Sequence, residues 1–411
     1  MAELIGTTEG TRTLYTALAD GCVMGYVAID SSFHGRSCGG LRMAPRLDGG
    51  EMQALARAMT LKYGLLGLPQ GGAKAGVLGD GDWPLQQRRN RLVEFGELIA
   101  PLLRNRQFTP CTDVGTSADD IRYMLRAVGL PVGRNELRRN SSGFYTAVSV
   151  AASATAAARY LGLDLAGRTA AIEGFGSVGC SLAGLLAEMG LRVVAVSTSR
   201  GAIHNPQGLD VGRLADLSRR EGSGVVETYA PAERIAQSAL LELPVDLLCP
   251  CALGGSIHQG NVARLAARIV APGANNPMSE AAEAALLDRG VVCVPDFVAN
   301  CGGVLGGTME FAGVAGQWIV ETIRRYMTAA VETLLARASR EAVAPRRLAE
   351  QAALRRREVL AAAGRQRGLD GMAAGFAAAL HRRGLLPRRL VGAVAPIYFE
   401  QTLASMLDEL R

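Results

Sequence analysis

The sequence predicts an α/β protein with two domains and a helical C-terminal region. The 411 residues are 49% hydrophobic and 20% charged, which is sufficient for two cores and typical of a globular chain. Between residues 169 and 294, short apolar strands alternate with helical patterns, which predicts a doubly wound parallel sheet. We therefore expect domains over residues 1–140 and 141–310. A helical region over 311–411 should partly pack back on the first domain.

Charge and hydropathy exclude several classes of protein. The net charge of +6 leaves room for an anionic ligand, but the arginines are dispersed and only 5% of the residues are aromatic, so no nucleic-acid partner is expected. The sequence shows no N-terminal signal and no uninterrupted apolar run of about eighteen residues. We therefore expect a cytoplasmic protein without a membrane partner.

The cysteines and histidines predict free thiols and no metal site. Cys249 and Cys251 are one residue apart and have no second pair at zinc-binding spacing. The chain has only four histidines, and each lies in ordinary surroundings, so nucleophilic catalysis by a Ser-His or Cys-His pair is poorly supported.

The first domain begins with two predicted strands and a helix. Apolar stretches between Gly21 and Met43 are broken by Gly and Ser, and we expect a turn at Ser37–Gly40. Apolar residues then recur at helical spacing from Met52 to Tyr63.

Lysine is almost absent from this chain. Lys62 and Lys74 are the only lysines among 44 basic residues. A desolvated lysine amine can lose its proton near neutral pH, whereas a guanidinium cannot. Lys62 lies at the edge of the apolar face of the predicted helix, and we place Lys74 on a glycine-rich loop over residues 64–74. The lysines are candidates for binding and proton transfer; the alternative is chance survival in an arginine-rich background.

Asp113 follows a short predicted strand, Phe108–Cys111. It precedes Ser117–Asp120, which is typical of a helix N-terminus. Asp113 is either a functional carboxylate or an ordinary turn residue.

The second domain begins with a strand, a glycine pattern and a helix. Thr169–Ile172 predicts the strand, Glu173–Gly179 contains G-x-G-x-x-G and opens a helix, and Arg192–Val196 predicts the next strand. This order within about thirty residues is typical of a Rossmann domain that holds the pyrophosphate of NAD or NADP at the helix N-terminus. The alternative is an ordinary turn between strand and helix.

Three later strands place two asparagines at the same edge of the sheet. The predicted strands Val245–Leu248, Arg268–Ala271 and Val291–Val294 each end in a loop-forming sequence. Because ligands bind at the carboxyl ends of parallel strands, Asn275 and Asn300 become candidate site residues.

The end of the second Rossmann strand lacks the acidic residue that reads the ribose of NAD. Thr198 and Arg200 lie there instead. An arginine can pair with the 2′-phosphate of NADP, so NADP is favoured over NAD. The alternative is that Arg200 faces solvent.

In order along the chain, these motifs resemble the glutamate, leucine, phenylalanine and valine dehydrogenase family, and the leucine dehydrogenase type most closely. The resemblance covers about Gly21 to Thr308. The motifs that carry it are Gly39–Met43, Leu68–Gly76, Asp113–Thr116, Pro250–Gly254, Gly273–Asn276 and Pro295–Gly303.

The resemblance implies reversible NAD(P)-dependent oxidative deamination of an L-amino acid to a 2-oxo acid and ammonia. Lys74 would activate the water that attacks the imine, and Asp113 would exchange protons with the amino group. Lys62 would bind the α-carboxylate. The first domain would carry substrate binding, catalysis and oligomerisation.

The same resemblance implies further binding residues. Asn300 and the backbone of Gly39 and Gly40 would orient the substrate. The residues implied to hold the cofactor are Thr146, Gly174, Gly176, Ser177, Val178, Gly179 and Asn275, besides Thr198 and Arg200.

Two departures from the glutamate enzymes concern the substrate side chain. Cys38 stands where those enzymes place a lysine, and Gly307 stands where they place a serine. A carboxylate without these partners in an apolar pocket would cost several kcal/mol, so glutamate is disfavoured. Gly307 should widen the pocket and Cys111 should narrow it, which leaves branched-chain and aromatic amino acids both open.

Two other functions remain open. The chain could aminate an unusual 2-oxo acid in a biosynthetic direction with the same residues. It could instead be a non-catalytic dinucleotide-binding protein. In each case the Ala- and Leu-rich C-terminal helices favour a homo-oligomer.

Overall fold

The computed structural model describes residues 2–81, 83–133, 137, 141–366, 380–381 and 383–411. The chain forms two compact units. The first comprises Met1–Asn140, Phe311–Gly313 and Ala353–Ile397, and the second comprises Ser141–Glu310, Val314–Ala352 and Tyr398–Arg411. The C-terminal helical region is therefore divided between the two units.

The first unit is built on a mixed six-stranded sheet. Its strands are β1 (Ala2–Glu9), β2 (Arg12–Ala19), β3 (Cys22–Ile29), β4 (Ser37–Ala44), β5 (Gly71–Leu78) and β6 (Thr109–Thr112). Their order is β1-β2-β3-β5-β4-β6. The first three strands and β5 pair antiparallel, whereas β4 is parallel to both β5 and β6. The hairpin of β1 and β2 was not among the predicted elements.

Among the described residues, four helices accompany this sheet, and the sequence predicted the first and the last of them. They are α1 (Gly49–Leu65), α2 (Leu85–Leu98), α3 (Ala100–Arg104) and α4 (Ala118–Ala127). The Asp48 side chain caps α1 by accepting from the Glu51 amide at 2.8 Å. Ser117 and Asp120 form a reciprocal capping box at α4, as their spacing predicted.

The second unit contains a seven-stranded sheet. Its strands are β7 (Thr169–Glu173), β8 (Arg192–Thr198), β9 (Gly201–His204), β10 (Glu233–Ile235), β11 (Leu247–Pro250), β12 (Ile269–Val270) and β13 (Val292–Cys293). Their order is β10-β9-β8-β7-β11-β12-β13. Five neighbouring strands are parallel: β8, β7, β11, β12 and β13. At the other edge, β9 pairs antiparallel with β8, and β10 pairs antiparallel with β9. Strand order reverses between β7 and β11, where α/β sheets of this type bind ligands.

Helices connect these strands and follow them along the described part of the chain. They are α5 (Ser142–Tyr160), α6 (Ser177–Glu188), α7 (Val211–Glu221), α8 (Val225–Thr228), α9 (Gln237–Leu241), α10 (Glu280–Asp288), α11 (Asp296–Ala299), α12 (Gly302–Phe311), α13 (Gly316–Glu341), α14 (Pro345–Gln366) and α15 (Arg388–Leu410). Strand β8 is buried from Val193 to Thr198, as expected for a parallel strand covered on both faces. The predicted α/β class with a Rossmann-like sheet is confirmed.

The helix α15 is long and apolar enough, by length and composition alone, to cross a membrane. Pro396 lies inside it. In its C-terminal half, Phe399, Leu403 and Met406 are buried in the second unit, and the Glu400 carboxylate accepts a hydrogen bond from Tyr326. This half of α15 is therefore part of a protein core.

Candidate functional site

Lys74 and Asp113 form an ion pair in the first unit. The Lys74 side chain extends from β5 and is 4% exposed, and its Nζ contacts Oδ2 of Asp113, which follows β6. Burial acts to raise the pKa of Asp113, but the positive charges of Lys74 and Arg42 outweigh it and hold that pKa below its ordinary value. Asp113 is therefore an ionised carboxylate paired with two cations.

The position of Lys74 in a central strand corrects the predicted loop. Gly71 and Gly72 begin β5, and a Cβ added to either would lie 2.3 Å or 2.2 Å from neighbouring backbone atoms. Gly72 lets the backbone of α1 approach β5, Gly71 lets the segment after β3 approach it, and neither glycine forms a turn. A strand position fixes the Lys74 side chain more firmly than a loop would.

Arg42 and Glu51 extend the charged group, and sequence reasoning assigned neither a role. Arg42, in β4, donates through Nε to Asp113 Oδ2 at 3.2 Å and through Nη1 to Glu51 Oε1 at 2.6 Å. Their signal was present in the sequence, because Arg42 belongs to the Gly39–Met43 motif and lies two residues from Gly40.

The loop that carries Asp113 is fastened to β4. Thr116 Oγ1 accepts from the Asp113 amide at 3.1 Å and donates to the Leu41 carbonyl at 2.7 Å. The Met43 amide donates to the Val114 carbonyl at 2.9 Å. Asp113 is therefore fixed by contacts to two strands, β4 and β5. An ordinary turn residue does not need such contacts.

Gly39 and Gly40 lie within β4, where the sequence predicted a turn. A Cβ at Gly39 would lie 1.7 Å from the Ala73 carbonyl oxygen. A Cβ at Gly40 would lie 2.8 Å from the Asp113 Cβ and 3.1 Å from Lys74 Nζ. The absent side chains thus allow β5 and Asp113 to approach the strand, and they leave the backbone of Gly40 beside the ion pair.

Cys38 and Cys111 meet next to this group. Their sulfur atoms are 3.4 Å apart and share a hydrogen bond. That bond lowers the pKa of the Cys38 thiol and raises the pKa of Cys111. The hydroxyl of Tyr63, a third residue without a predicted site role, lies beside Cys38 and also lowers the Cys38 pKa, and burial raises the pKa of Tyr63 itself. The three groups form a polar surface that offers no positive charge.

Lys62 lies in the last turn of α1, directly before Tyr63, and is buried. The sequence predicted this inward position from the edge of the apolar face. Burial of a lysine is unusual unless it is paired or functional.

In the second unit, the three glycines after β7 differ in their surroundings. Gly174 has a φ of +92°, which favours glycine in this tight turn. A Cβ at Gly176 would meet nothing within 4 Å, whereas a Cβ at Gly179 would lie 1.9 Å from the Gly174 carbonyl oxygen. The first glycine makes the turn, the second leaves the backbone open, and the third lets α6 pack on the strand. These residues fit a dinucleotide pyrophosphate, together with Ser177 and Val178 at the start of α6.

Asn300 and Asn275 meet at the carboxyl end of the same sheet. Asn300 Nδ2 donates to the Ala274 carbonyl at 2.9 Å and to Asn275 Oδ1 at 3.0 Å. These acceptors fix the orientation of the amide. The buried Oδ1 of Asn300 has no hydrogen-bond partner among the described residues. It is therefore suited to accept a hydrogen bond from a ligand N–H.

Asp296 and Arg346 support this edge. Asp296 Oδ2 accepts from the Asn276 amide at 2.9 Å, and its Oδ1 accepts from Arg346 of α14 at 2.7 Å. Asn276 has a φ of +49°, in the left-handed region. The carboxylate thus holds the asparagine loop in a conformation that few side chains adopt.

Thr146 and Gly307 lie on neighbouring helices. Thr146 Oγ1, in α5, donates to the Ser142 carbonyl at 2.9 Å. A Cβ at Gly303 would lie 2.4 Å from Thr146 Oγ1. Gly307 lies four residues after Gly303 on α12 and is half-buried.

Thr198 and Arg200 lie at the end of β8. Thr198 Oγ1 donates to the Ser223 carbonyl at 2.7 Å, so it shapes the turn. Arg200 pairs with Glu227 at 3.2 Å, and Arg234 lies 3.9 Å from the same carboxylate. An acid therefore does lie beside Arg200, but it comes from α8. The sequence carried no signal for it, since it is distant from the glycine motif.

Two family models match most of the chain. Residues 141–368 match the Glutamate/Leucine/Phenylalanine/Valine dehydrogenase family, and residues 13–129 match the Glu/Leu/Phe/Val dehydrogenase dimerisation domain.

Curated relatives carry the name glutamate dehydrogenase. That of Thermotoga maritima is 38% identical over 70% of this chain and 72% of its own. The NADP(+)-dependent glutamate dehydrogenase of Pyrobaculum calidifontis is 34% identical over 73% of this chain and 75% of its own. The NAD-specific glutamate dehydrogenase of Staphylococcus aureus is 31% identical over 75% of this chain and 78% of its own.

Solved structures share the fold. The hetero-hexameric glutamate dehydrogenase of Thermus thermophilus in its Leu-bound form has a TM-score of 0.70 and 24% identity, covering 90% of this chain and 89% of its own. The L-tryptophan dehydrogenase of Nostoc punctiforme has a TM-score of 0.57 and 21% identity, covering 84% of this chain and 96% of its own. By its sequence matches, the chain belongs to the glutamate, leucine, phenylalanine and valine dehydrogenase family and is an NAD(P)-dependent oxidoreductase of the CH–NH2 group.

Proposed function

We propose that this chain catalyses the reversible oxidative deamination of an L-amino acid with a neutral apolar or aromatic side chain, giving a 2-oxo acid and ammonia. The observation that carries this proposal is the Lys74–Asp113 ion pair beside the thiols of Cys38 and Cys111. The ion pair supports the reaction, and the thiols support the substrate class.

The thiols favour a neutral side chain for an electrostatic reason. Cys38 and Cys111 offer no positive charge at the position where the glutamate enzymes place a lysine, and the hydroxyl of Tyr63 adds only a neutral dipole. A carboxylate desolvated there would lack a partner. Sulfur contacts the edges of aromatic rings favourably, so aromatic as well as branched-chain substrates are compatible with this surface.

The proposed roles follow from what each group can do. Lys62 binds the α-carboxylate through its ammonium group, and the Gly40 backbone and Asn300 orient the substrate. Lys74 takes a proton from the water that attacks the imine, and Asp113 exchanges protons with the nitrogen. Pairing with Lys74 and Arg42 keeps Asp113 ionised, as a proton acceptor requires.

The dinucleotide, when bound, supplies the site that accepts or donates the hydride. Gly174, Gly176, Ser177, Val178 and Gly179 hold its pyrophosphate through backbone N–H groups at the start of α6. Thr146 and Asn275 hold the nicotinamide ribose and amide.

NADP is the preferred form of the cofactor in this proposal. No acid follows β8 directly, and Arg200 and Arg234 together outnumber the one carboxylate of Glu227. A 2′-phosphate would replace that carboxylate as the partner of Arg200.

A homo-oligomer is the proposed assembly, because residues 13–129 match a domain described as a dimerisation domain. Light scattering of the purified chain tests this, and a monomeric mass would contradict it.

The deciding experiment is reductive amination of a panel of 2-oxo acids with ammonia, using NADPH and NADH separately. The panel contains the 2-oxo acids of leucine, valine, phenylalanine, tryptophan and glutamate, and an unusual larger acid. We expect turnover with apolar or aromatic acids and little with 2-oxoglutarate. Preference for 2-oxoglutarate would contradict the substrate proposal, and tight dinucleotide binding without any turnover would identify a non-catalytic protein.

A further inference from the structure

Arg42 lies against the ion pair of Lys74 and Asp113 from the side of β4. Its side chain is 8% exposed, and its Nε donates to the same oxygen, Oδ2 of Asp113, that Lys74 Nζ contacts. Its Nη1 donates to Glu51 Oε1 at 2.6 Å, so the guanidinium is held from α1 as well. One carboxylate oxygen is therefore shared by two cations.

Sharing this oxygen changes what happens when Lys74 is neutral. If Lys74 were the only partner of Asp113, loss of the lysine proton would leave a desolvated carboxylate without compensation. That carboxylate would then hold the proton on Lys74 or take it up itself. Because a guanidinium does not deprotonate, Arg42 continues to compensate Asp113 when Lys74 is neutral.

We infer that Arg42 is a positioning residue that keeps Asp113 ionised and in place while Lys74 gives up and regains its proton. The inference rests on the proposed function of Lys74 and Asp113. It explains why a buried arginine reaches the ion pair through one nitrogen and is anchored to Glu51 through another.

The positive charges that lower the pKa of Asp113 come from Lys74 and Arg42. Lys62 on α1 binds the substrate carboxylate in the proposed function. Cys111 on β6 lies close enough to Lys74 for its pKa to be affected by that charge, Cys38 on β4 bonds to Cys111, and Tyr63 on α1 lies beside the two thiols. None of the three carries a positive charge in any protonation state. On α2 and α4, Arg88 and Asp120 pair with each other at 2.9 Å and add no net charge.

The test is the pH dependence of kcat/KM for oxidative deamination in the wild type, Arg42→Met and Arg42→Lys. Removing a nearby positive charge makes Asp113 hold its proton more tightly. We expect the acidic limb of the Arg42→Met profile to move upward by about one pH unit, a tenfold change at a given pH on that limb. Arg42→Lys keeps the positive charge, so its acidic limb should lie close to that of the wild type.

Glu51→Gln provides a second variant with the opposite sign. It keeps Arg42 and removes a negative charge, so the acidic limb should move downward, by less because Glu51 is 37% exposed. Arg46→Met, an exposed arginine just after β4, is the matched control and should leave the profile unchanged.

The outcomes separate this inference from the proposed function. A folded Arg42→Met with lower kcat at every pH and an unmoved limb would show a merely structural role and overturn the inference. If Arg42→Met does not fold, Glu51→Gln decides, and an unmoved or upward-shifted limb overturns it. A wild type that binds dinucleotide but deaminates no amino acid would remove the proposed function itself.

Discussion

The sulfur atoms of Cys38 and Cys111 lie 3.4 Å apart on neighbouring parallel strands, beside the ion pair of the first unit. Their shared hydrogen bond lowers the pKa of Cys38 and raises the pKa of Cys111, so the pair can hold at most one negative charge easily. No residue of this pair can neutralise a substrate carboxylate.

Cys38→Lys should therefore alter substrate choice. A lysine at this position supplies the positive charge that a side-chain carboxylate requires, and kcat/KM for glutamate should rise at least about tenfold relative to leucine and phenylalanine. The measurement is the ratio of kcat/KM values for the three amino acids. Cys22→Lys, at an exposed cysteine in β3, is the matched control and should leave the ratio unchanged. An unchanged ratio in folded Cys38→Lys would remove Cys38 from the substrate pocket.

Replacement by arginine should affect the two lysines differently. Lys74→Arg keeps the charge but loses the amine that can release a proton, and kcat should fall about 1000-fold. Lys62→Arg can still pair with a carboxylate, so it should mainly raise KM. Steady-state kinetics at several pH values measures both. Full activity of Lys74→Arg near neutral pH would refute its role as a base, and an unchanged KM in Lys62→Arg would refute carboxylate binding.

Gly40→Ala should damage catalysis while the fold persists. The new Cβ would lie 2.8 Å from the Asp113 Cβ and 3.1 Å from Lys74 Nζ, so the ion pair must move. We expect kcat to fall about 10- to 100-fold, since small misplacements are costly at a reacting centre. Gly184→Ala is the control, because nothing lies within 4 Å of its added Cβ. Wild-type kcat in Gly40→Ala would show that the close approach is unimportant.

The parallel part of the second sheet was predictable because its signals are local, whereas the antiparallel edge strands β9 and β10 were not predicted. The strand, the three glycines and the helix occur within one stretch of chain, and each glycine has the surroundings that its place in the motif requires. The helix starts were equally local, as Ser117 and Asp120 show.

The charged group around Asp113 could not be completed from the sequence. Arg42 and Glu51 lie 71 and 62 residues before Asp113, and only the pairing of β4 with β6 and the packing of α1 bring them together. Gly71 and Gly72 failed as signals for another reason. Glycine marks both turns and close contacts inside sheets, and the sequence does not distinguish the two.

Arg200 and Glu227 provide a test of cofactor choice. Arg200→Gln should raise KM for NADP about three- to tenfold more than KM for NAD, because the lost cation faces the 2′-phosphate only in NADP. Glu227→Gln should lower KM for NADP, because it frees Arg200 and Arg234 from their shared carboxylate. The measurement is the KM for NADP and for NAD in each of the two variants, compared with the wild type. Equal effects of Arg200→Gln on both dinucleotides would place Arg200 outside the ribose site.

Glu173, at the end of β7, should make stability depend on pH. Burial raises the pKa of its carboxyl, and the nearby hydroxyl of Ser256 offsets this only in part. Its Oε2 is buried and has no hydrogen-bond partner among the residues that the structure describes. Because the folded state binds the proton more tightly than the unfolded state, this residue's stabilising contribution is complete below the unfolded pKa and is lost as pH rises through the folded pKa.

Glu173→Gln should therefore raise the free energy of unfolding above that pH range and change it little below about pH 4. The expected gain at pH 8 is about 1 kcal/mol, the cost of one unsatisfied buried acceptor. Urea unfolding at pH 4 and pH 8 measures it, with Glu188→Gln on α6 as the control. An equal gain at both pH values would point to packing, and no gain at pH 8 would show that the carboxylate finds a partner. Glu173 also directly precedes Gly174 in the chain. Removing the negative charge of Glu173 should therefore favour binding of an anionic pyrophosphate at the start of α6.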